Sequence, residues 1–215
     1  MAHAIEGLYA VTPDMADTDM LAHKVESAVR GGAAAVQYRN KSGTDAGRLE
    51  QLRRLAPVCR RHGAMLIVND SVALARDAAA DGVHLGRDDG DVGAARRMLG
   101  PAAVIGVSCY DDLQRARDAR AAGADYVAFG SFFPSPTKPG AVRASLDLLR
   151  QARRELDLPI VAIGGIGVQN AAGLIDAGAD ALAVVSALFD AADVESQARR
   201  ISRLFPALRT LAAQR

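Results

Sequence analysis

The sequence predicts an α/β domain, a single (β/α)8 TIM barrel over residues 1–215. Three observations point there. Short apolar runs recur roughly every 20 to 30 residues with helical patterns between them, the alternation of βα units. There are eight such runs, the count that closes a barrel. Each is hydrophobic almost throughout, as strands buried on both faces are. An open doubly wound sheet is the rival. It more often has fewer strands and a Gly-rich phosphate loop after the first, whereas here the first run leads into "VTPD" with no glycine.

Taken in order, the chain opens with "GLYAVT" (7–12) and, after a helical stretch exiting through "RGGAAAV", runs into "AAVQYR" (34–39). The next helix, "LEQLRRLAPVCRRHG", keeps Leu49, Leu52, Leu55 and Val58 on one face and stops at Gly63. "MLIVND" (65–70), "GVHLG" (82–86) and "VIGVS" (104–108) follow as strands three to five. "DDLQRARDARAAGAD" offers Asp111 as an N-cap and Gly123 as a stop. It leads into "YVAFGS" (126–131). A helix starting after Ser145 and ending before Pro159 feeds "PIVAIGG" (159–165), and "VQNAAGLIDAGAD" feeds "ALAVVSAL" (181–188). The closing "SQARRISRLFPALRTLAAQR" reads as a last barrel helix with a solvated Arg face.

Composition narrows the function. The formal charge is +1, from 26 basic and 25 acidic residues, which argues against bulk binding to nucleic acid or a membrane surface. Aromatic content of 4% without Trp removes a base-stacking platform. Any anionic ligand must be held by a few placed groups. Cys59 and Cys109 have neither metal-ligand nor disulfide-framework spacing, so a reducing cytoplasm is expected. The first residues carry no signal-peptide pattern, and no apolar run reaches membrane-span length. Of the basic residues 23 are Arg and three are Lys: Lys24, Lys41 and Lys138. A lysine is therefore the less casual choice.

In such a barrel, function sits at the C-terminal ends of the strands. Strand two ends Gln37-Tyr38-Arg39-Asn40-Lys41, where Gln37, Arg39 and Lys41 share one side by their period of two. Two cations and an amide suit a polyanion such as a diphosphate; an outward stripe against a helix is the other reading. Strand three ends Asn69-Asp70, and Asp88 and Asp89 follow strand four. Asp70 and Asp89 on one rim suit Mg²⁺, a hard ion that takes oxygen ligands and bridges phosphates, with helix caps as the alternative. Ser108 closes strand five; "GGIG" after strand seven and Val185-Ser186 on strand eight occupy the usual phosphate position. His84, inside strand four, is expected to be a buried, hydrogen-bonded structural residue. Cys109 has no base partner to activate it. After strand six comes "FGSFFPSPTKPGA", a proline-stiffened loop carrying Ser135, Thr137 and Lys138.

Together "LYAVTPD", "VQYRNK", "LIVND", "DGVHLGRDD", "IGVSCY", "GADYVAFGSFFPSPTK", "VAIGGI" and "AVVSAL" resemble, in order, the motif series of the thiamine phosphate synthase family, from about Leu8 to Leu188. The resemblance implies a Mg²⁺-dependent transferase. It joins 4-amino-2-methyl-5-(diphosphooxymethyl)pyrimidine to 4-methyl-5-(2-phosphooxyethyl)thiazole, or its carboxylated form, and releases diphosphate. It implies that Gln37, Tyr38, Arg39, Asn40, Lys41 and Asn69 line the pyrimidine diphosphate site and that Asp70 and Asp89 hold Mg²⁺. Ser108 and Lys138 would contact the pyrimidine and its leaving group, with Arg39 and Lys41 also catalytic. Ser135, Pro136, Thr137, Gly165, Val185 and Ser186 would hold the thiazole phosphate. The implied partners are two small phosphorylated substrates, and barrels of this kind often self-associate.

The departures are small. Ser135-Pro136 stands where many members begin the phosphate-binding triplet with Thr, Arg87 where many have Gln, and Cys109-Tyr110 where some have Thr-His. The nearest rival is the thiazole tautomerase of the same superfamily, which uses a histidine base and has no need of the diphosphate set. A non-catalytic phosphate-binding barrel is the rival from another class; it has no need of the metal carboxylates.

Overall fold

The computed structural model describes residues 5–134, 140 and 142–205. Ser135, Pro136, Thr137 and Lys138, and the last part of the C-terminal helical stretch, lie outside the described residues.

Eight parallel strands close into a barrel in chain order: β1 (Gly7–Val11), β2 (Ala33–Tyr38), β3 (Met65–Asn69), β4 (Gly82–Leu85), β5 (Val104–Tyr110), β6 (Tyr126–Gly130), β7 (Ile160–Ile163) and β8 (Ala181–Val184), with β8 pairing back to β1. The helices are α1 (Thr18–Arg30), α2 (Asp45–Arg61), α3 (Val72–Asp77), α4 (Val92–Leu99), α5 (Leu113–Ala121), α6 (Leu146–Glu155) and α7 (Ala172–Asp176), each following its strand. After β8 come the one-turn α8 (Ser186–Phe189) and then α9 (Val194–Ser202). The expected TIM barrel is thus the observed fold.

Strand alternation splits the core into two layers. Leu8, Val36, Leu66, Val83, Ile105, Val127, Ile160 and Leu182 face the helices and pack with Leu21, Leu52, Leu55 and Leu149. Tyr9, Ala35, Ile67, Val104, Tyr126, Val161 and Ala183 fill the barrel interior. Each fully buried Leu, Ile or Val in the outer layer is worth about 1.5–3 kcal/mol. Replacing Leu52 or Leu182, both 0% exposed, by Ala would open a cavity costing about 2–5 kcal/mol.

The helix starts follow side-chain chemistry. Asp17, Thr44, Ser71, Asp91, Asp112, Ser145 and Asp193 each accept from an amide of the first helical turn. Four expectations are corrected here. Asp112, not Asp111, caps α5, because Tyr110 turns the chain at φ 57° and brings the next-but-one carboxylate over the Arg115 amide. Strand eight is shorter than its apolar run, because Val185 leaves extended geometry (φ −110°, ψ −93°) and its carbonyl accepts from the amides of Leu188 and Phe189. Val185 and Ser186 therefore sit on the turn into α8. Strand two likewise ends at Tyr38, which leaves Arg39 and Lys41 on the loop that follows, and strand five runs on to Tyr110. Gly123 and Gly178, at φ 88° and 110°, turn the chain out of α5 and α7 as their sequence positions predict.

Candidate active site

The loop after β2 is held from two sides. Thr12, just past β1, accepts from the Arg39 amide and donates to the Arg39 carbonyl (2.8 and 2.9 Å). Asp14 accepts from the Lys41 amide (2.7 Å) and pairs with the Arg39 guanidinium (3.3 Å). Asn40 folds the loop on itself: its Oδ1 accepts from the amides of Ser42 and Gly43, and its Nδ2 donates to Gln51. Buried Gln51 of α2 also accepts from the Tyr38 phenol (2.7 Å) and donates to the Met15 carbonyl (2.8 Å). Tyr38 thus points to the helix layer, where burial pushes its hydroxyl up to about 12.

This scaffold aims Lys41 across the rim. Its ammonium lies 3.4 Å from Asp70, which follows β3 in a left-handed turn at φ 67°. Ser71 takes the cap of α3, so Asp70 is not spent on a helix start. Asp91 likewise caps α4 and leaves Asp89 to accept from the Gly86 amide (2.8 Å). Burial, and then Asp70 beside it, push the Asp89 carboxyl above its usual range; the Gly86 amide and Lys41 pull the other way. The helix-cap alternative thus fails for both carboxylates. Among the described residues no group of three or more His, Cys, Asp or Glu stands together for a metal. The pair is the acidic cluster of this rim.

Tyr38, Asn40, Lys41, Arg48, Asn69 and Asp70 border one cleft of about 200 Å³. Arg48 is an addition that the sequence reading missed. Its Nη2 donates to the Lys41 carbonyl, and its buried Nε has no partner among the described residues. A cation four residues into α2 has no sequence signal beyond its type.

Further round the rim, Ser108 lies at the end of the barrel-facing side of β5. Arg115 of α5 holds its carbonyl (2.7 Å) together with that of Gly86 (3.0 Å). His84 is buried at 6% exposure and hydrogen-bonded, as expected, and one of its partners is the Ser108 hydroxyl at 2.8 Å. Gly165, at φ 62°, lies under the loop after β6: a Cβ there would stand 2.3 Å from the Pro134 carbonyl oxygen. Phe133 donates to the Gly164 carbonyl, which ties that loop to the end of β7. Val185 packs on the interior layer above β8. Two of the departures from the family pattern meet, with the Arg87 guanidinium 5.0 Å from the ring centre of Tyr110. Cys59 and Cys109 are buried free thiols, and burial pushes both up to about 12.

The structure therefore brings Lys41, Asp70 and Asp89 together on the C-terminal rim beside Asn69, while Arg39, on the same loop as Lys41, pairs with Asp14. Among the described residues no helix is long and apolar enough to cross a membrane. The family model described as thiamine monophosphate synthase matches residues 8–188. A curated thiamine-phosphate synthase of Thiobacillus denitrificans is 60% identical over 94% of this chain and 95% of its own. One from Azoarcus is 57% identical over 95% and 100%. The solved structure of a thiamine phosphate pyrophosphorylase from Pyrococcus furiosus superposes with a TM-score of 0.84 at 32% identity, covering 96% of this chain and 98% of that one. By its motifs, its barrel and these relatives, the chain belongs to the thiamine monophosphate synthase family.

Proposed function

We propose that the chain is a cytoplasmic thiamine-phosphate synthase, a transferase built as one barrel domain. It joins 4-amino-2-methyl-5-(diphosphooxymethyl)pyrimidine to 4-methyl-5-(2-phosphooxyethyl)thiazole and releases diphosphate; from the carboxylated thiazole it would release CO₂ as well. The observation that supports this reading is the rim cleft, where Lys41 and Arg48 stand with Asn69 and Asp70, and Asp89 adjoins Asp70.

Asp70 and Asp89 would hold Mg²⁺. The fit rests on their chemistry: two carboxylates supply hard oxygen donors side by side, and Asp89 is pushed up by burial first and by Asp70 second. A site of one or two carboxylates completed by water and substrate phosphate is typical of Mg²⁺. When bound, the ion would neutralise charge on the leaving diphosphate.

The protein's own residues carry the rest. The bond between the exocyclic CH₂ and the diphosphate oxygen breaks, and its electron pair leaves with the diphosphate. The 4-amino group of the ring stabilises the cation left behind. Arg39, Lys41 and Lys138 supply positive charge where the leaving group gains negative charge. Gln37 and Asn69 place the pyrimidine, and Tyr38 and Asn40 hold the loop that carries Arg39 and Lys41. Ser108 holds its ring. Ser135, Pro136, Thr137, Gly165, Val185 and Ser186 place the thiazole phosphate, so that the thiazole nitrogen attacks within reach and forms the new C–N bond. No general base is needed. Both ring nitrogens of His84 are engaged, one by Tyr126 and one by Ser108, which counts against a tautomerase that uses a histidine base.

The test is direct. Purified protein given both substrates and Mg²⁺ should form thiamine phosphate and diphosphate in equal amounts, and omission of either substrate or chelation of the metal should stop both. Folded protein that yields neither product would refute the reading.

A further inference from the structure

Five side chains link Gln37 to Ser108 through the barrel interior. The Gln37 amide Nε2 donates to the Tyr9 hydroxyl at 3.0 Å. The hydroxyls of Tyr9 and Tyr126 are 2.9 Å apart. The Tyr126 hydroxyl is 2.9 Å from His84 Nδ1, and His84 Nε2 is 2.8 Å from the Ser108 hydroxyl. Tyr9 and Tyr126 are 1% and 0% exposed, so water does not complete their bonding. The rings are fixed by packing: Tyr126 meets Tyr9 edge-on and stacks on His84, and a Cβ on Gly106 would fall 1.9 Å from the Tyr126 ring. Burial raises both phenols well above their usual range, so each keeps its single proton.

That single proton gives the chain a direction. Tyr9 accepts from Gln37, so its own proton goes to Tyr126. The Tyr126 proton then goes to His84 Nδ1. His84 is left with its proton on Nε2 and donates it to the Ser108 oxygen. The Ser108 proton is thereby turned outward, away from His84. At the other end, the Gln37 amide has its Oε1 as acceptor. One end of the chain accepts and the other donates. The aminopyrimidine of the proposed substrate has the matching pair, an exocyclic amine that donates and ring nitrogens that accept. A 4-oxo pyrimidine has the reverse at C4 and N3.

Resting on the function proposed above, we propose that Tyr9, Tyr126 and His84 are positioning residues. Their hydrogen-bond chain fixes Gln37 as acceptor and Ser108 as donor, and this polarity selects the 4-amino pyrimidine diphosphate over its 4-oxo counterpart. Tyr9, Tyr126 and His84 need touch neither substrate.

The experiment measures dissociation constants of the 4-amino and 4-oxo pyrimidine diphosphates, with Mg²⁺ and without the thiazole substrate. Wild type, Tyr126→Phe and Tyr9→Phe are compared. Wild type should prefer the amine on the order of 100-fold. Tyr126→Phe frees His84 to take either tautomer and should cut that preference about ten-fold. Tyr9→Phe removes the acceptor that orients the Gln37 amide and should cut it by a similar factor. Loss of folded protein lowers binding of both ligands equally and leaves the ratio unmoved, so a merely structural role would not change it. An unchanged ratio in either variant overturns the inference while leaving the function standing. Wild type that binds neither diphosphate overturns both.

Discussion

At the N-terminal end of the barrel, Asp81, Asp125 and Asp180 each stand just before a strand. Each turns Oδ2 onto an amide at the start of the strand before it: Leu66, Ile105 and Ile160, at 2.7, 2.7 and 2.8 Å. Arg96 pairs with Asp125 and Arg153 with Asp180. The backbone carbonyls of Asp81 and Asp180 accept from Val104 and Gly7, so the same residues also reach the next strand. At the opposite end Asp70 and Asp89 adjoin one another, share Lys41, and cap no helix. The residue type is the same and the bonding is not. The lower aspartates have their oxygens taken by groups that start strands, which is the bonding of a structural clamp. The upper pair stands side by side with Lys41, and burial first and Asp70 second push the Asp89 carboxyl up. In a barrel this separation of stability from chemistry follows the two rims.

Substitutions can break this comparison. The largest effect belongs to the upper rim. Asp70→Ala and Asp89→Ala should each lower turnover by about 10²–10³-fold, the scale of removing one preorganised electrostatic contact. Both should leave the melting temperature within about 2 °C, since a substitution relieving like charge has small stability cost. A large fall in melting temperature with turnover preserved would place these aspartates with the lower set. Lys138→Ala, in the loop after β6, should reduce turnover strongly at nearly unchanged stability; unaltered turnover removes Lys138 from the mechanism.

A smaller effect of opposite kind is expected below. Asp180→Ala leaves the Ile160 amide and Arg153 without their partner. It should cost about 2 kcal/mol, or roughly 4–8 °C in a chain of this size. Activity per folded molecule should stay within about two-fold, as the proposed site is at the other rim. The smallest effect concerns Cys59 and Cys109. With both thiols pushed up to about 12, neither should be alkylated by iodoacetamide at pH 8 while the protein is folded. Rapid labelling of the native protein would show that the helix layer opens.

Much of this was readable from residue order. Eight apolar runs gave eight strands, and alternation placed Gln37, Asn69 and Ser108 on them, whereas Arg39, Lys41, Asp70 and Asp89 lie on the loops that follow, where only the barrel rule pointed. Pairing across the barrel was not readable. Tyr9 and Tyr126 are 117 residues apart and look like ordinary apolar strand residues. Alternation tells which face a side chain takes and not what it meets there. The same limit hid Asp14 and Gln51, whose work is to hold the loop of Lys41. Choosing Asp112 over Asp111 as the cap depended on a positive φ at Tyr110, which its neighbours in sequence do not dictate. Val185 left its strand because a short helix claimed its carbonyl, although the apolar run continued to Leu188.

One assay asks most directly whether the upper rim is a synthase site. Wild type, Asp70→Ala and Asp180→Ala are each given the pyrimidine diphosphate, the thiazole phosphate and Mg²⁺, with thiamine phosphate and diphosphate measured together per folded molecule. The account predicts equal amounts of both products from wild type and Asp180→Ala, and a fall of about 10²–10³-fold in Asp70→Ala. No product from folded wild type, or full activity in Asp70→Ala, would contradict it.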